Sequence, residues 1–179
     1  MKELILRKWD TKDIQALVHG ANDPLIAANM RNSFPCPYTL ENAKWFVNDC
    51  IVNDGNRRII RAIETDGKAV GNICIFLQDD VYEKTAELSY WISVDYWGKG
   101  IATQAVKMIC KEAFTVFDIV RIYAVPFDHN TASKCVLKKA GFTYEGTMRN
   151  GIYKNGKVQS CCIYSILKDS NNVITNCKS

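Results

Sequence analysis

The chain has 179 residues, of which 47% are hydrophobic and 23% are charged, and both fractions are ordinary for a globular protein that buries its own core. The formal net charge is +4, and no run rich in lysine and arginine occurs. This mild balance suits an anionic ligand but gives no basis for nucleic-acid binding. No apolar run approaches the roughly 20 residues that span a bilayer, so no membrane partner is expected.

The eight cysteines are scattered through apolar stretches, without a CxxC pair, and only two histidines are present. This placement indicates that most of them are buried free thiols and that the location is reducing and cytoplasmic. No group of His, Cys, Asp and Glu has the spacing of a metal site, so no metal is expected. The N-terminal segment becomes charged after three apolar residues, which argues against a signal peptide.

The first third of the chain predicts one strand and two helices. Residues 4–9 alternate between apolar and polar, as in a strand. Asp10 or Thr11 then caps a first helix, whose apolar residues recur at helical spacing. Residues 33–39 contain two prolines and predict a loop, and a second helix runs from Thr39 to the glycine at position 55.

In the middle of the chain, the apolar residues recur with a period of two. Residues 57–65 and 68–78 flank an Asp-Gly pair and predict a β-hairpin, and residues 85–94 predict a third strand. A long helix is expected over residues 100–117 and a further strand over residues 119–127.

The last predicted elements are a helix ended by Gly141 and two strands around the Asn155–Gly156 turn. The order β-α-α-β-β-β-α-β-α-β-β predicts a mixed α/β (α+β) single domain with early antiparallel strands and one strand–helix–strand crossover. This domain is assigned to residues 1–168, and residues 169–179 form a polar C-terminal tail.

The segment "WGKGIA", residues 97–102, follows a predicted strand and opens the long helix. Glycines at such a position let backbone N–H groups approach an anion at the helix N-terminus, and Lys99 could add a charge. A tight turn with glycines for steric reasons alone is the alternative, and the segment in isolation does not choose between the two. The P-loop is excluded because Ile101 follows Gly100, and the dinucleotide fingerprint because Thr103 stands where its third glycine would be.

Three segments together resemble the GNAT (GCN5-related N-acetyltransferase) superfamily. They are "AELSYWISVDYWGKGIATQAVKMICKEAF", "RIYAVPFDHNTASKCVLKKAGFTYEGTMR" and "NGKVQSCCIYSIL", in this order. The branch that they resemble most is typified by the ribosomal-protein alanine N-acetyltransferases RimJ and RimL. The resemblance implies a GNAT fold, with a mixed, mostly antiparallel sheet that splays between two parallel strands and is flanked by helices.

The resemblance also implies acetyl-CoA as the cosubstrate and no metal. The loop would hold the pyrophosphate on backbone N–H groups, and free backbone groups near the end of the preceding strand would pair with the pantetheine arm and polarise the thioester carbonyl. Asn130 would contact pantetheine. The implied donor-binding residues are Ile92, Ser93, Val94, Trp97, Gly98, Lys99, Gly100, Ile101, Ala102, Thr103, Asn130 and Ser133.

Two residues match the catalytic positions of that branch. Glu87 would take a proton from the amine, directly or through water, and Ser133 would protonate or hydrogen-bond the leaving thiolate. Each has an alternative, because Glu87 could pair with an arginine or face solvent, and Asn130 and Ser133 could simply belong to a helix cap. The acceptor side is assigned to Phe34, Tyr38 and Tyr90. For the loop that carries Phe34 and Tyr38, ordinary packing without a role in binding is the alternative.

The sequence therefore predicts an N-acetyltransferase in which a primary amine attacks acetyl-CoA directly within a ternary complex. The acceptor is the α-amine of a protein or peptide N-terminus, or else a small-molecule amine. A non-catalytic acyl-CoA-binding domain is a further alternative, and a nucleotide-dependent oxidoreductase is disfavoured by the missing fingerprint. Both a monomer and a homodimer are compatible with the sequence.

Overall fold

The computed structural model describes residues 4–168, so the predicted tail at residues 169–179 lies outside the described residues. The helices are α1 (Ile14–Ala21), α2 (Pro24–Ala27), α3 (Leu40–Asn53), α4 (Ile101–Val116) and α5 (Thr131–Ala140). The strands are β1 (Leu4–Arg7), β2 (Arg58–Thr65), β3 (Lys68–Leu77), β4 (Thr85–Ile92), β5 (Arg121–Ala124), β6 (Thr143–Lys154) and β7 (Lys157–Leu167). Within this range, no helix combines the length and apolarity that crossing a bilayer requires.

The strands form one sheet in the order β1-β2-β3-β4-β5-β7-β6. Neighbouring strands are antiparallel except β4 and β5, which are parallel and joined by the crossover helix α4. The predicted fold class is thus confirmed. The short helix α2 was not predicted; Asp23 accepts a hydrogen bond from Leu25 N at its start, and Pro24 supplies the fixed φ of a first helical residue.

Two apolar cores lie on opposite faces of the sheet. On one face, α4 and α5 cover Ile73, Ile75 and Leu88. On the other face, α1 and α3 pack over a cluster that contains Cys74 and Trp91. Because successive side chains of a strand point to opposite faces, Glu87, Ser89 and Trp91 face α3 while Leu88, Tyr90 and Ile92 face α4.

The parallel pairing of β4 with β5 stops early. The register runs from Thr85↔Arg121 to Glu87↔Tyr123, and β4 continues beyond this point without β5. The chain after β5 stays with β7 instead, because Pro126 O accepts a hydrogen bond from Cys162 N and Phe127 bridges Cys161. The two parallel strands therefore part as predicted.

The β6–β7 hairpin crosses to the loop after α2. Asn155 and Gly156 both have positive φ in its turn, as the Asn-Gly pair predicts. The Lys154 ammonium donates to Met30 O at 2.6 Å, and Asn32 Nδ2 donates to Tyr153 O at 3.3 Å. These contacts hold the hairpin and the loop together across the gap between β4 and β5.

We expect Gly71→Ala to lower the free energy of unfolding by about 2–3 kcal/mol, the usual cost of overpacking a well-packed core. A Cβ at Gly71 would clash with Trp91 O and lie 2.9 Å from Ile92 Cδ1, so β4 would have to move. The matched control is Gly146→Ala on β6, where a Cβ meets nothing within 4 Å. Urea unfolding of both variants is the measurement, and equal midpoints would contradict the close approach of β3 and β4.

Candidate active site

A cavity of about 990 Å³ passes through the gap between β4 and β5. On the side of α4 and α5 it is lined by the glycine turn, Asn130 and Ser133. On the opposite side it is lined by Glu87, the loop after α2 and one face of α3. Most of the residues predicted from the sequence therefore line one continuous space, and two groups of ligands could meet in it from opposite faces of the sheet.

The glycine turn leaves the start of α4 open. Gly98 and Gly100 both have left-handed φ, +73° and +76°, and no side chain caps the helix at Gly100. Gly98, Gly100, Ile101, Ala102 and Thr103 line the cavity. The uncapped N–H groups at the start of a 16-residue helix can bind an anion there.

The two long side chains of this turn bind the turn itself. Trp97 Nε1 donates to Ile92 O at 2.8 Å. Lys99 Nζ donates to Asp95 O at 2.7 Å and lies 5.0 Å from the centre of the Tyr96 ring. The Lys99 charge is thus used within the turn in this structure, and the open donors of the site are those of the main chain.

The free backbone groups expected at Ser93 are not free, and that expectation is wrong. Ser93 N donates to Val70 O at 2.8 Å, and Ser93 O accepts from Tyr96 N. Val94 begins a 3₁₀ turn, and its carbonyl accepts from Trp97 N. The sequence pattern did not reveal that the β3 ladder extends to Ser93.

The backbone groups that face the gap belong to alternate residues of β4. Because Ser93 pairs with β3, the residues at even positions direct their N–H and C=O groups to the opposite side. These are Leu88, Tyr90 and Ile92. Leu88 N–H belongs to the last pairing with β5, and Ile92 O accepts from Trp97 Nε1. The C=O of Leu88, both groups of Tyr90 and the N–H of Ile92 therefore form a short open strand edge with which an extended ligand can pair.

Asn130 and Ser133 stand at the start of α5. Asn130 Oδ1 accepts from Ser133 N at 3.0 Å, so the predicted helix cap is present. Both residues also line the cavity. Capping uses the Asn130 oxygen, and the amide nitrogen keeps its capacity to donate.

Tyr90 lies with Ser133 rather than with the acceptor-side residues to which it was assigned. Its hydroxyl is 2.8 Å from Ser133 Oγ, on the α4 and α5 face of the sheet. Burial raises the pKa of Tyr90 to about 12, so the phenol keeps its proton at neutral pH. The pair is a two-hydroxyl unit at the edge of the gap and can supply a proton.

Glu87 stands at the point where β4 and β5 part, and its carboxylate pairs with the Arg31 guanidinium. The Glu87 side chain is 16% exposed and the Arg31 side chain 74%. The alternative raised from the sequence, an arginine pair, is therefore present in the structure. The partner arrives from a distant loop, which sequence spacing could not show.

Phe34 and Tyr38 lie on the acceptor side, as expected. The two rings are 5.2 Å apart, Phe34 also contacts the Trp91 ring at 6.2 Å, and all three residues line the cavity. Tyr38 is buried, so the loop over residues 33–38 is packed into the wall of the cavity.

Sequence reasoning missed several lining residues, which only the packing of helices against the sheet brings to the cavity. On α5, Cys135 and Lys139, which lie one helical turn apart on the same face, also line the cavity. On the other side of the sheet, Asp49 of α3 pairs with Arg58 of β2 at 2.7 Å. Residues 4–168 contain no group of three or more His, Cys, Asp or Glu side chains that could hold a metal ion.

The profile of the Acetyltransferase (GNAT) domain family matches residues 3–143 of this chain. The chain belongs to the GNAT acetyltransferase family. Its fold is also that of the RimL ribosomal L7/L12 α-N-protein acetyltransferase in complex with coenzyme A, with a TM-score of 0.82 over 93% of this chain and 94% of RimL, at 21% identity.

Two relatives in sequence illustrate the range of this GNAT family. YdaF of Bacillus subtilis is 36% identical over 103 residues, which are 58% of this chain and 56% of YdaF, so the match spans about half of that relative. The spermidine N(1)-acetyltransferase of Escherichia coli is 28% identical over 89% of this chain and 84% of that enzyme.

We expect alkylation of the folded protein to separate its cysteines into two groups. Cys36 and Cys135 are exposed, whereas Cys50, Cys74 and Cys110 are buried, and burial raises the pKa of each of these three thiols to about 12. A protonated, buried thiol does not react at pH 8. Timed iodoacetamide labelling read by mass spectrometry should therefore modify Cys36 and Cys135 first. Early labelling of Cys110 would contradict the packing of α4.

Proposed function

We propose that this chain is an N-acetyltransferase that transfers the acetyl group of acetyl-CoA to a primary amine by direct attack in a ternary complex. The observation that carries the proposal is the cavity through the β4–β5 gap, which joins an uncapped helix N-terminus on one side to a carboxylate on the other. Its support also includes membership of the GNAT family and the coenzyme A bound by RimL.

The donor would bind on the side of α4 and α5. The first N–H groups of α4 would hold the pyrophosphate, and Lys139 would offer a cation to a further phosphate. The pantetheine arm would pair with the open edge of β4 at Leu88 and Tyr90, in place of the strand that is missing there. An N–H of this edge would polarise the thioester carbonyl as negative charge develops on its oxygen.

The acceptor would enter from the side of α3. Glu87 would release Arg31 and take a proton from the ammonium, directly or through water, which frees the nitrogen lone pair. The nitrogen then forms a bond to the acetyl carbon while the bond from that carbon to sulfur breaks. The thiolate receives a proton from Ser133, whose Oγ is hydrogen-bonded to the Tyr90 hydroxyl at 2.8 Å. The second proton that the nitrogen loses on becoming an amide passes through solvent back to this hydroxyl pair, so both hydroxyls end protonated.

The α-amine of a protein or peptide N-terminus is the acceptor that we propose, as in RimL, which is named an α-N-protein acetyltransferase. A small-molecule amine is the second candidate, favoured by the similarity to the spermidine enzyme over 89% of this chain. Labelled acetyl-CoA in a cell extract distinguishes the two. Label on protein N-termini supports the first, and label restricted to small amines supports the second.

We expect Gly100→Ala to weaken acetyl-CoA binding about tenfold, because φ near +76° is strained for alanine and the turn that presents the α4 N–H groups would shift. Gly67→Ala is the matched control, since Gly67 has φ near +72°, also with open space around a Cβ, but does not line the cavity. Isothermal titration calorimetry measures both variants. Equal affinities would overturn the placement of the pyrophosphate.

Glu87→Gln should lower kcat by about 100-fold or more, which is the usual contribution of a general base, with little change in acetyl-CoA affinity. Glu83→Gln is the matched control, because Glu83 is exposed and does not line the cavity. The measurement is release of the CoA thiol with a saturating amine. An unchanged kcat would remove Glu87 as the base, and no release by the unaltered protein with any amine would overturn the proposed activity.

A further inference from the structure

The acceptor side of the cavity, here called the acceptor chamber, has mainly apolar walls. Trp45 and Phe46 of α3 face Ile60 of β2 and Phe76 of β3, and Leu25 and Met30 close the chamber from the loop side. Trp45 lines this space although its side chain is 70% exposed. An aromatic side chain held at the mouth of a cavity provides apolar area to an entering ligand.

In the acceptor chamber, each carboxylate is paired with one guanidinium. Among the described residues that line it, the carboxylates are Glu87 and Asp49, and each is paired with a guanidinium, Arg31 and Arg58 respectively. Burying an ammonium without an anion is costly. The chamber can therefore accept one ammonium for each guanidinium that leaves.

The two ion pairs differ in how easily they open. Arg31 is 74% exposed and can swing into solvent. Arg58 is 21% exposed, and its guanidinium also donates to Asp49 O at 3.1 Å and to Asn53 O at 3.3 Å. Only Glu87 is thus readily vacated, so the chamber offers one site for an ammonium.

The sheet register decides what lies beside that site. Phe76 is directly opposite Glu87, and Arg58 is directly opposite Phe76, so the three form one row across adjacent strands on the same face. Neighbouring strands lie about 4.8 Å apart, which puts the Cα atom of Arg58 about 10 Å from the Cα atom of Glu87. An acceptor bound at Glu87 therefore meets first an apolar ring and then the Arg58–Asp49 ion pair, which leaves no free carboxylate.

We propose that the acceptor is a monoamine with an apolar group beside its amine, and that a polyamine is disfavoured. Its one ammonium takes the place of Arg31 at Glu87, and its apolar group packs against Phe76 and Trp45. A second ammonium on the acceptor would reach the Arg58–Asp49 pair, which offers it no free carboxylate. This inference rests on the proposed acetyl transfer, and the apolar group is either the first side chain of a polypeptide or the body of a small amine.

The test compares pentylamine with 1,5-diaminopentane, which differ by one terminal ammonium. With the full chain and saturating acetyl-CoA, kcat/KM for pentylamine should exceed that for the diamine by about tenfold or more, because the second ammonium would lose its hydration without gaining a free carboxylate. A diamine or spermidine that is used equally well or better would overturn the inference and leave the acetyl transfer standing. No CoA release with any amine would overturn both.

Variants locate the discrimination in the chamber. Trp45→Ala should raise KM for pentylamine about fivefold without changing KM for acetyl-CoA, whereas Tyr82→Ala, which removes an equally exposed aromatic outside the cavity, should change neither. Arg58→Gln should lower the ratio of kcat/KM for pentylamine to kcat/KM for the diamine about two- to fivefold. Unchanged constants in both Trp45→Ala and Arg58→Gln would overturn the assignment of the chamber.

Peptides identify the source of the amine. A hexapeptide that begins with leucine should be acetylated at least about tenfold better than one that begins with aspartate, because the first side chain enters the apolar part of the chamber. If the leucine peptide also exceeds pentylamine, the natural source is a polypeptide N-terminus. If pentylamine exceeds the peptide, the source is a small amine. Equal use of the leucine and aspartate peptides would contradict the proposed apolar contact.

Discussion

The parting of β4 from β5 after the Glu87–Tyr123 pair is the constraint on which the site depends. The chain beyond β5 remains paired with β7 and leaves β4. The far half of β4 is left with backbone N–H and C=O groups that need partners. The sheet is thereby both the scaffold of the fold and one wall of the ligand-binding cavity.

Because a strand alternates its side chains between faces, β4 can serve both halves of a two-substrate site. Glu87 points to the α3 side, and Tyr90 reaches Ser133 on the α5 side. The proposed base and the proposed proton donor are thus on opposite faces of the same strand.

Long-range contacts shape the acceptor side. The loop after α2 contributes Arg31 to Glu87 and is held by the β6–β7 hairpin through Lys154 and Met30. Balanced ion pairs keep the chamber close to neutral while aromatic side chains line it. Neutrality with an apolar wall is the physical basis for expecting one ammonium rather than several.

The sequence alone determined the order of the strands, the crossover helix and the glycine turn at residues 97–102. These follow from local patterns, because helical period, turn residues and caps depend on neighbours in the chain. Glu87, Asn130 and Ser133 were singled out by the resemblance of the sequence to the GNAT superfamily. The tertiary structure decided that Ser93 N–H is used by Val70, that Tyr90 joins Ser133, and that Arg31 and Arg58 neutralise the acceptor side. Each of these depends on strand register or on the packing of a helix or loop against the sheet, as for Arg31 and Glu87, which are 56 positions apart. Sequence spacing carries no information on such contacts, because they are fixed only when the sheet and its helices pack together.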